Sequence, residues 1–374
     1  MKKMQAGRIA ALFLCLVLLL NLFPMTAFAA DESSSNGVQS EQQLPDGEAA
    51  GENTAAASEG SQENSVNSNT WVGGGDAYNS VALRRDHAIA PGVEEQTLYL
   101  NDASGNNQNV CHVMEVDLSN PNVDLLSGYS DMNPEVWKTQ VTSEQAKAAE
   151  RVLGVNVVGA INTNLSWESD EPIGMLVING TVYHQGSSQA YFVLTKDGKA
   201  EIRGGGEPLR GNEWQATSTF QILVQNGVNL YSTPDHATGS RAPRTAIGIK
   251  ADGNVVLFVV DGRQAPYSVG MTGYELAQTM IDLGCVTAVN CDGGGTSTFV
   301  TERAGTGELK IQNSPSDGVE RPTLGTLMVV SKAKPTGVFD HAVLSPSSDL
   351  YTPGSTIQFS AVGADSSGAA VSMP

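Results

Sequence analysis

The chain has 374 residues and a formal net charge of −19, from 40 acidic residues against 21 basic ones. That balance argues against nucleic acid or an anionic membrane surface as a partner, since both call for a basic face. It leaves an anionic small substrate open, because a few local arginines outweigh a distant, screened field.

Lys2, Lys3 and Arg8 precede an apolar run from Ile9 to Leu20, and Ala27-Phe28-Ala29 supplies a small-x-small cleavage site. The run falls short of the roughly 20 residues that cross a bilayer. Residues 1–30 therefore read as the signal peptide of a bacterial secreted or cell-surface protein, with an uncleaved anchor as the alternative. Cys15, inside the run and after Leu14, does not fit a lipoprotein site. Cleavage removes three positive charges and takes the net charge from −19 to −22. No later segment is apolar enough to span a membrane.

Residues 31–75 hold eight carboxylates, from Asp31 to Glu63, and no lysine or arginine. Such a segment buries too little apolar surface to offset its ordering entropy and reads as a disordered acidic linker. Cys111, Cys285 and Cys291 give no disulfide framework and read as buried thiols, with one pair including Cys111 left open. No cysteine or histidine spacing suggests a structural zinc site.

From 76 to 334 apolar runs alternate with turn signals. A helix is expected at Ser143–Leu153, with Thr142 and Gln145 as a capping box and Gly154 as its stop. Strands are expected at Val155–Ile161, Met175–Ile178, Thr181–Tyr183, Tyr191–Thr195, Phe220–Gln225 and Thr326–Val330. Asn179-Gly180, Asp197-Gly198 and Asn226-Gly227 punctuate them as hairpin turns. The fold class is α+β, a mixed sheet with hairpins and at least two packed helices. Residues 335–374 have a Pro353-Gly354 turn and strand-like stretches. They read as the start of an all-β, immunoglobulin-like repeat, too short for a complete sandwich.

The chemistry concentrates between Arg241 and Val300. Thr245–Lys250 and Val255–Val260 flank Asp252-Gly253, and a two-residue turn there sets Arg244 opposite Asp261, give or take one residue. A second helix follows, with Thr272 and Glu275 as its capping box and Gly284 as its stop. The strand Val286–Asn290 then runs into Asp292-Gly293-Gly294-Gly295. If the two strands are parallel neighbours, Asp261 and Asp292 emerge together at one sheet edge. Glycines there allow close approach and can aim several N–H groups at one anion.

These segments are also recognisable. Pro243-Arg244-Thr245-Ala246-Ile247-Gly248, Asp261-Gly262-Arg263, Ser268-Val269-Gly270-Met271-Thr272, Glu275-Leu276-Ala277 and Asn290 to Ser297 follow in order. Ala160-Ile161-Asn162, Asn313, Ser316-Asp317-Gly318 and Glu320-Arg321-Pro322 extend the pattern. Together they resemble the phosphodiester glycosidase family over about Val155–Val330. Thr163-Asn164-Leu165 departs from the family's aromatic pair, Cys291 from a leucine and Thr296 from a serine, so substrate identity is the least transferable property.

The resemblance implies hydrolysis of a sugar-1-phosphate diester between the anomeric carbon and its oxygen. Asp261, Asp292 and Arg244 are then the catalytic candidates, either aspartate serving as nucleophile, base or hydroxyl holder. Arg244, Arg263 and Arg321 suit the phosphate. Asn162, Ser268, Asn290, Gly293, Gly294, Gly295, Thr296, Ser297 and Asp317 are candidate substrate-binding residues. No cofactor is required, although a divalent cation shared by Asp261 and Asp292 is open. The partner is a phosphate-linked carbohydrate, with cell-surface attachment through further C-terminal repeats as an option. The alternatives are a non-catalytic surface glycan-binding module and a phosphodiesterase that breaks the P–O bond. Trp167 with its acidic neighbours, His184, His236 and Gly204-Gly205-Gly206 read as loop or surface features. Ser297 lacks the flanking pattern of a nucleophilic serine.

Overall fold

A computed structural model describes residues 79–102, 108–164, 171–186, 188–231, 240–345 and 353–374. The chain divides into Met1–Glu63 and Asn64–Pro374, and every described residue lies in the second unit. The signal peptide, the acidic linker up to 75, Trp167 with Glu168 and Asp170, and His236 fall outside the described residues. No helix among the described residues is long and apolar enough to cross a membrane.

Two sheets pack face to face. The larger has eight strands, in the spatial order Asn79–Ala90, Val93–Asp102, Gln108–Val116, Val255–Val260, Arg244–Lys250, Cys285–Asn290, Ile222–Gln225 and Val228–Asn229. The second runs Leu309–Ile311, Phe299–Glu302, Asn156–Asn162, Gly325–Ser331, Val123–Tyr129. Met114, Ile247, Leu257 and Val289 from the first meet Val158, Ile161, Phe299 and Leu327 from the second in a continuous apolar layer. Strand side chains alternate in direction, so each sheet has a second face to cover. Leu276, Ala277 and Met280 of the helix Gly273–Asp282 cover Ala246, Phe258 and Ala288 on the first. Ala146 and Ala149 of the helix Thr142–Leu153 cover Val157, Ala160 and Met328 on the second. The result is helix, sheet, sheet, helix, an α+β arrangement.

Every strand pairing among the described residues is antiparallel, which corrects the expected mixed sheet. Val255–Val260 and Cys285–Asn290 do run parallel, as the helical crossover between them requires, but Arg244–Lys250 is inserted antiparallel between the two. A smaller five-stranded sheet adds the expected hairpins. Asn179-Gly180 and Asn226-Gly227 each have two positive φ angles, the backbone that a tight two-residue hairpin turn demands.

The two helix starts differ. Thr272 and Glu275 close the expected capping box. Thr142 does not: the N-cap is Val141 without a side-chain cap. Glu320, 177 residues away in sequence, takes the Ser143 N–H at 3.0 Å and bonds its hydroxyl. Gln145 turns instead to the carbonyls of Gln140 and Thr323. Gly154 ends this helix at φ 66°, as expected. At the C-terminus, His341–Ser345, Ser360–Ala364 and Ala370–Val371 form a small antiparallel sheet. Three strands do not by themselves carry the immunoglobulin-like assignment.

Candidate active site

The site lies where the larger sheet's strands end beside the second sheet. Its first determinant is a hairpin loop. Arg244 pairs with Val260 and Ile249 with Val255, and the Lys250 N–H donates to the Asn254 carbonyl at 2.9 Å, so the loop 251–253 contains three residues, not two, and Arg244 does not face Asp261. Gly253 takes φ 93°, and Asp252 Oδ1 accepts the Asn254 N–H at 3.0 Å, which together close the longer turn. Because side chains alternate, that single residue sends Arg244 and Asp261 to opposite faces of the sheet.

Asp261 is 1% exposed and fully engaged. Its Oδ1 accepts from Asn313 Nδ2 at 2.9 Å and from the Ser314 N–H at 3.0 Å. Its Oδ2 accepts from the Tyr267 hydroxyl and again from Ser314 N–H, both at 3.0 Å. His112 Nε2 lies 3.6 Å from Oδ2. The carboxylate thus ties the loop 261–268 to the segment 313–314, and burial beside it raises the Tyr267 phenol above its ordinary value. Asp261 and Asp292 leave strands separated by an intervening strand, about 10 Å between strand axes, rather than adjacent ones.

Asp292 has a different environment. Its main chain is clamped by Asn162 Nδ2, which donates to the Asp292 carbonyl at 2.7 Å, and by the Thr163 carbonyl, which accepts its N–H at 3.0 Å. Its carboxyl group is partly buried, and burial pushes its pKa up to about 6. The Thr296 hydroxyl, the Gly293 N–H and the Arg321 charge pull the other way without cancelling that effect.

The three glycines then admit the Arg244 chain and the guanidinium groups of Arg263 and Arg321. A Cβ on Gly293 would lie 3.0 Å from the Pro243 carbonyl and 3.8 Å from Arg244 Cδ. One on Gly294 would lie 3.2 Å from Arg263 Nη1, and one on Gly295 would collide with Arg321 Nη2 and Asp317 Oδ2. Arg263 itself sits at φ 59°, an unusual conformation for a side-chain-bearing residue. Two N–H groups of the run are taken within the protein, Gly293 N–H by Asp292 Oδ1 and Gly294 N–H by the Pro243 carbonyl. Arg244 donates to the carbonyls of Met271 and Ser240, and burial lowers its pKa, with the Arg263 charge adding to that effect. An anion docking there would relieve both.

Residues 152–330 match the family model described as phosphodiester glycosidase. This stretch is similar to the phosphodiester glycosidase family. The SPbeta prophage-derived uncharacterized protein YomE of Bacillus subtilis (strain 168) is 39% identical over 197 residues, which is 49% of this chain and 28% of that protein. The chain therefore spans little more than a quarter of that relative. Among solved structures, the zebrafish N-acetylglucosamine-1-phosphodiester alpha-N-acetylglucosaminidase catalytic domain, auto-inhibited by its pro-peptide, is similar with a TM-score of 0.51. It is 21% identical and covers 66% of this chain and 87% of its own, a likeness of fold.

Within residues 152–330 the remaining candidates divide in two. Asn162 and Ser268 are 0% exposed and occupied internally. Asn162 Oδ1 accepts from Thr245 Oγ1 and the Thr298 N–H, while Ser268 Oγ donates to the Asp261 carbonyl and accepts the Val110 N–H. Thr296 Oγ1 donates to the Gly293 carbonyl. By contrast, Asn290 Oδ1 and Ser297 Oγ are buried without a hydrogen-bond partner among the described residues. Asn290 pairs with Ala246, so it shares a sheet face with Arg244 two residues along. Sequence reasoning passed over His112, Tyr267 and Ser314; the alternating strand Gln108–Val116 and a polar loop carry no local signal for an aspartate brought in by the fold.

The donors do not fit a cation shared by Asp261 and Asp292. No group of three or more His, Cys, Asp or Glu side chains among the described residues is placed to hold a metal ion, and the oxygens of Asp261 are committed to protein donors. Cys111, Cys285 and Cys291 are free and buried, and burial raises all three thiols, Cys285 to about 12. They are not nucleophiles at neutral pH.

Proposed function

We propose that this site hydrolyses the bond between the anomeric carbon and the phosphate oxygen of a sugar-1-phosphate diester. One observation carries the reading: the guanidinium groups of Arg263 and Arg321 pack against a single glycine run, with the Arg244 chain beside it, next to a carboxyl group whose pKa burial raises to about 6. Arginines stabilise charge that gathers on a departing phosphate. A carboxyl group that keeps its proton in mildly acidic solution can donate it to that oxygen. Arg244 and Arg263 take the phosphate, Asp292 is the acid, and Asn290 and Ser297 offer their unpartnered polar atoms to the sugar. Asn162 and Asp261 act indirectly, the first by fixing the Asp292 main chain and the second by anchoring the 313–314 segment.

The name of the zebrafish relative supplies the first sugar to test, N-acetylglucosamine. Purified chain is incubated with sugar-1-phosphate diesters in ¹⁸O-labelled water. Free sugar carrying the label, and loss of turnover in Asp292→Asn, support the reading. Label in the phosphate product points to P–O cleavage instead, and glycan retention without turnover points to a binding module. The same reading has the chain exported, and an N-terminus beginning near residue 31 in secreted protein is the expected mass-spectrometric result.

A further inference from the structure

Hydrolysis of a glycosyl phosphate needs a group to activate the incoming water as well as one to assist departure. Asp261 is a poor choice for the first task. Its oxygens are occupied by Asn313, Ser314 and Tyr267, and it leaves a strand that is not adjacent to that of Asp292. A different carboxylate stands at the glycine run. Asp317 Oδ2 and Arg321 Nη2 lie so close to Gly295 that any Cβ there would strike both. Arg321 holds the carboxylate through Nε at 2.8 Å and Nη2 at 2.6 Å. The Asp317 side chain is 34% exposed, so water reaches it. The Arg321 charge also lowers the Asp292 pKa, and Gly295, on which Arg321 and Asp317 sit, is three residues from Asp292.

Resting on the proposed sugar-phosphate hydrolysis, we propose that Asp317, rather than Asp261, is the general base that works opposite Asp292. Asp317 takes a proton from water as the water oxygen bonds to the anomeric carbon. The bond from that carbon to the phosphate oxygen breaks, its electron pair stays on the oxygen, and Asp292 supplies the proton it accepts. Asp317 then passes its proton through solvent to Asp292, which restores both groups. Arg321 pairs with the Asp317 carboxylate, so the three arginines divide their work: two hold the phosphate and one holds the base.

The test is steady-state kinetics across pH on wild type, Asp317→Asn, Asp317→Ala and Arg321→Met, each checked for an unchanged melting curve. Asp317→Asn should lower kcat by about 100-fold or more while KM moves by less than about threefold, the range of a lost general base. Arg321→Met should move the basic limb of kcat/KM to higher pH, because the acid Asp292 loses a cation that lowers its pKa; a merely structural ion pair would not move that limb. Added azide or formate should restore part of the Asp317→Ala rate. A wild-type chain that turns over while Asp317→Asn keeps kcat within about threefold overturns this assignment alone. A trapped glycosyl-enzyme on Asp317 overturns the base role in favour of direct attack. A wild-type chain that releases sugar from no diester overturns the underlying hydrolytic reading as well.

Discussion

Replacing Asp292 with asparagine should make the folded protein more stable while it removes activity. Burial lifts the Asp292 carboxyl from its ordinary value of 3.8 to about 6. At about 1.4 kcal/mol per pH unit, that displacement corresponds to roughly 3 kcal/mol against the charged form in the native state. Because the native value is raised, the native state loses stability as pH climbs from about 4 through 6, and the deficit is complete above 6. The substituted amide cannot ionise, yet its oxygen can still accept the Gly293 N–H that now bonds Oδ1 of the aspartate. Relaxation and partial hydration reduce the gain, so about 1–2 kcal/mol is expected at pH 7.5, or a rise in Tm of about 2–4 °C for a domain of this size. At pH 4, where wild-type Asp292 is largely protonated in the native state and close to half protonated when unfolded, the two melting curves should nearly coincide. Scanning calorimetry of both proteins at pH 4, 6 and 7.5 measures the difference. A gap independent of pH, or an Asp292→Asn protein less stable than wild type at pH 7.5, would refute the reasoning that burial destabilises the carboxylate.

Four further substitutions probe the frame around the site. Asn162→Ala removes one donor and one acceptor at a fully buried position and strands the Asp292 carbonyl, the Thr298 N–H and the Thr245 hydroxyl. Urea unfolding should show a loss of about 2–4 kcal/mol, and a loss below about 1 kcal/mol would mean that water replaces the amide. Gly270→Ala places a Cβ against the Ala242 backbone at φ 89°, whereas Gly307→Ala meets nothing within 4 Å. The first should lose at least about 2 kcal/mol and the second about 1 kcal/mol, since only the second is limited to backbone strain. Arg203, 1% exposed, pairs with Glu213 and Glu201 inside the smaller sheet, so Arg203→Ala should lower stability by about 3–5 kcal/mol. Equal melting temperatures for that variant and wild type would show that its carboxylates find other partners or protons.

What was legible in the sequence follows the distance over which each determinant acts. Thr272 and Glu275 stand three residues apart and form their capping box as expected. Asn179-Gly180 and Asn226-Gly227 carry their turn chemistry in two residues. The helix Thr142–Leu153 is legible in its Gly154 stop, but in place of the expected Thr142–Gln145 box its N-terminal N–H is taken by Glu320, which no local pattern announces. The same holds at the site. Arg244, Arg263, Arg321 and the glycine run are named by the chain, and the fold packs the Arg263 and Arg321 guanidinium groups and the Arg244 chain against the glycines. The saturation of Asp261 was hidden because its donors arrive from residues 267, 313 and 314.

The hairpin shows how little separates the two outcomes. Asp252-Gly253 is compatible both with a two-residue turn and with a three-residue loop whose last position needs φ > 0. Gly253 at φ 93° satisfies the second, and Asp252 Oδ1 stabilises it by accepting the Asn254 N–H. The strand partner Cys285–Asn290 contributes to the same choice, since Ile247 and Ile249 must face the shared core while Ala246 and Gly248 admit the helix-side residues Met280 and Cys285. An even loop that flipped Arg244–Lys250 would turn Ile247 and Ile249 toward Met280 and Cys285, where even a Cβ on Gly248 would collide. Core packing therefore selects the odd loop. Its consequence is that Arg244 joins Asn290 on the helix-side face, with Gly293 against its main chain, while Asp261 turns to the Asn313 side. The division of labour between the two aspartates is thus set by a turn at the far end of the hairpin, a strand's length away from Asp261.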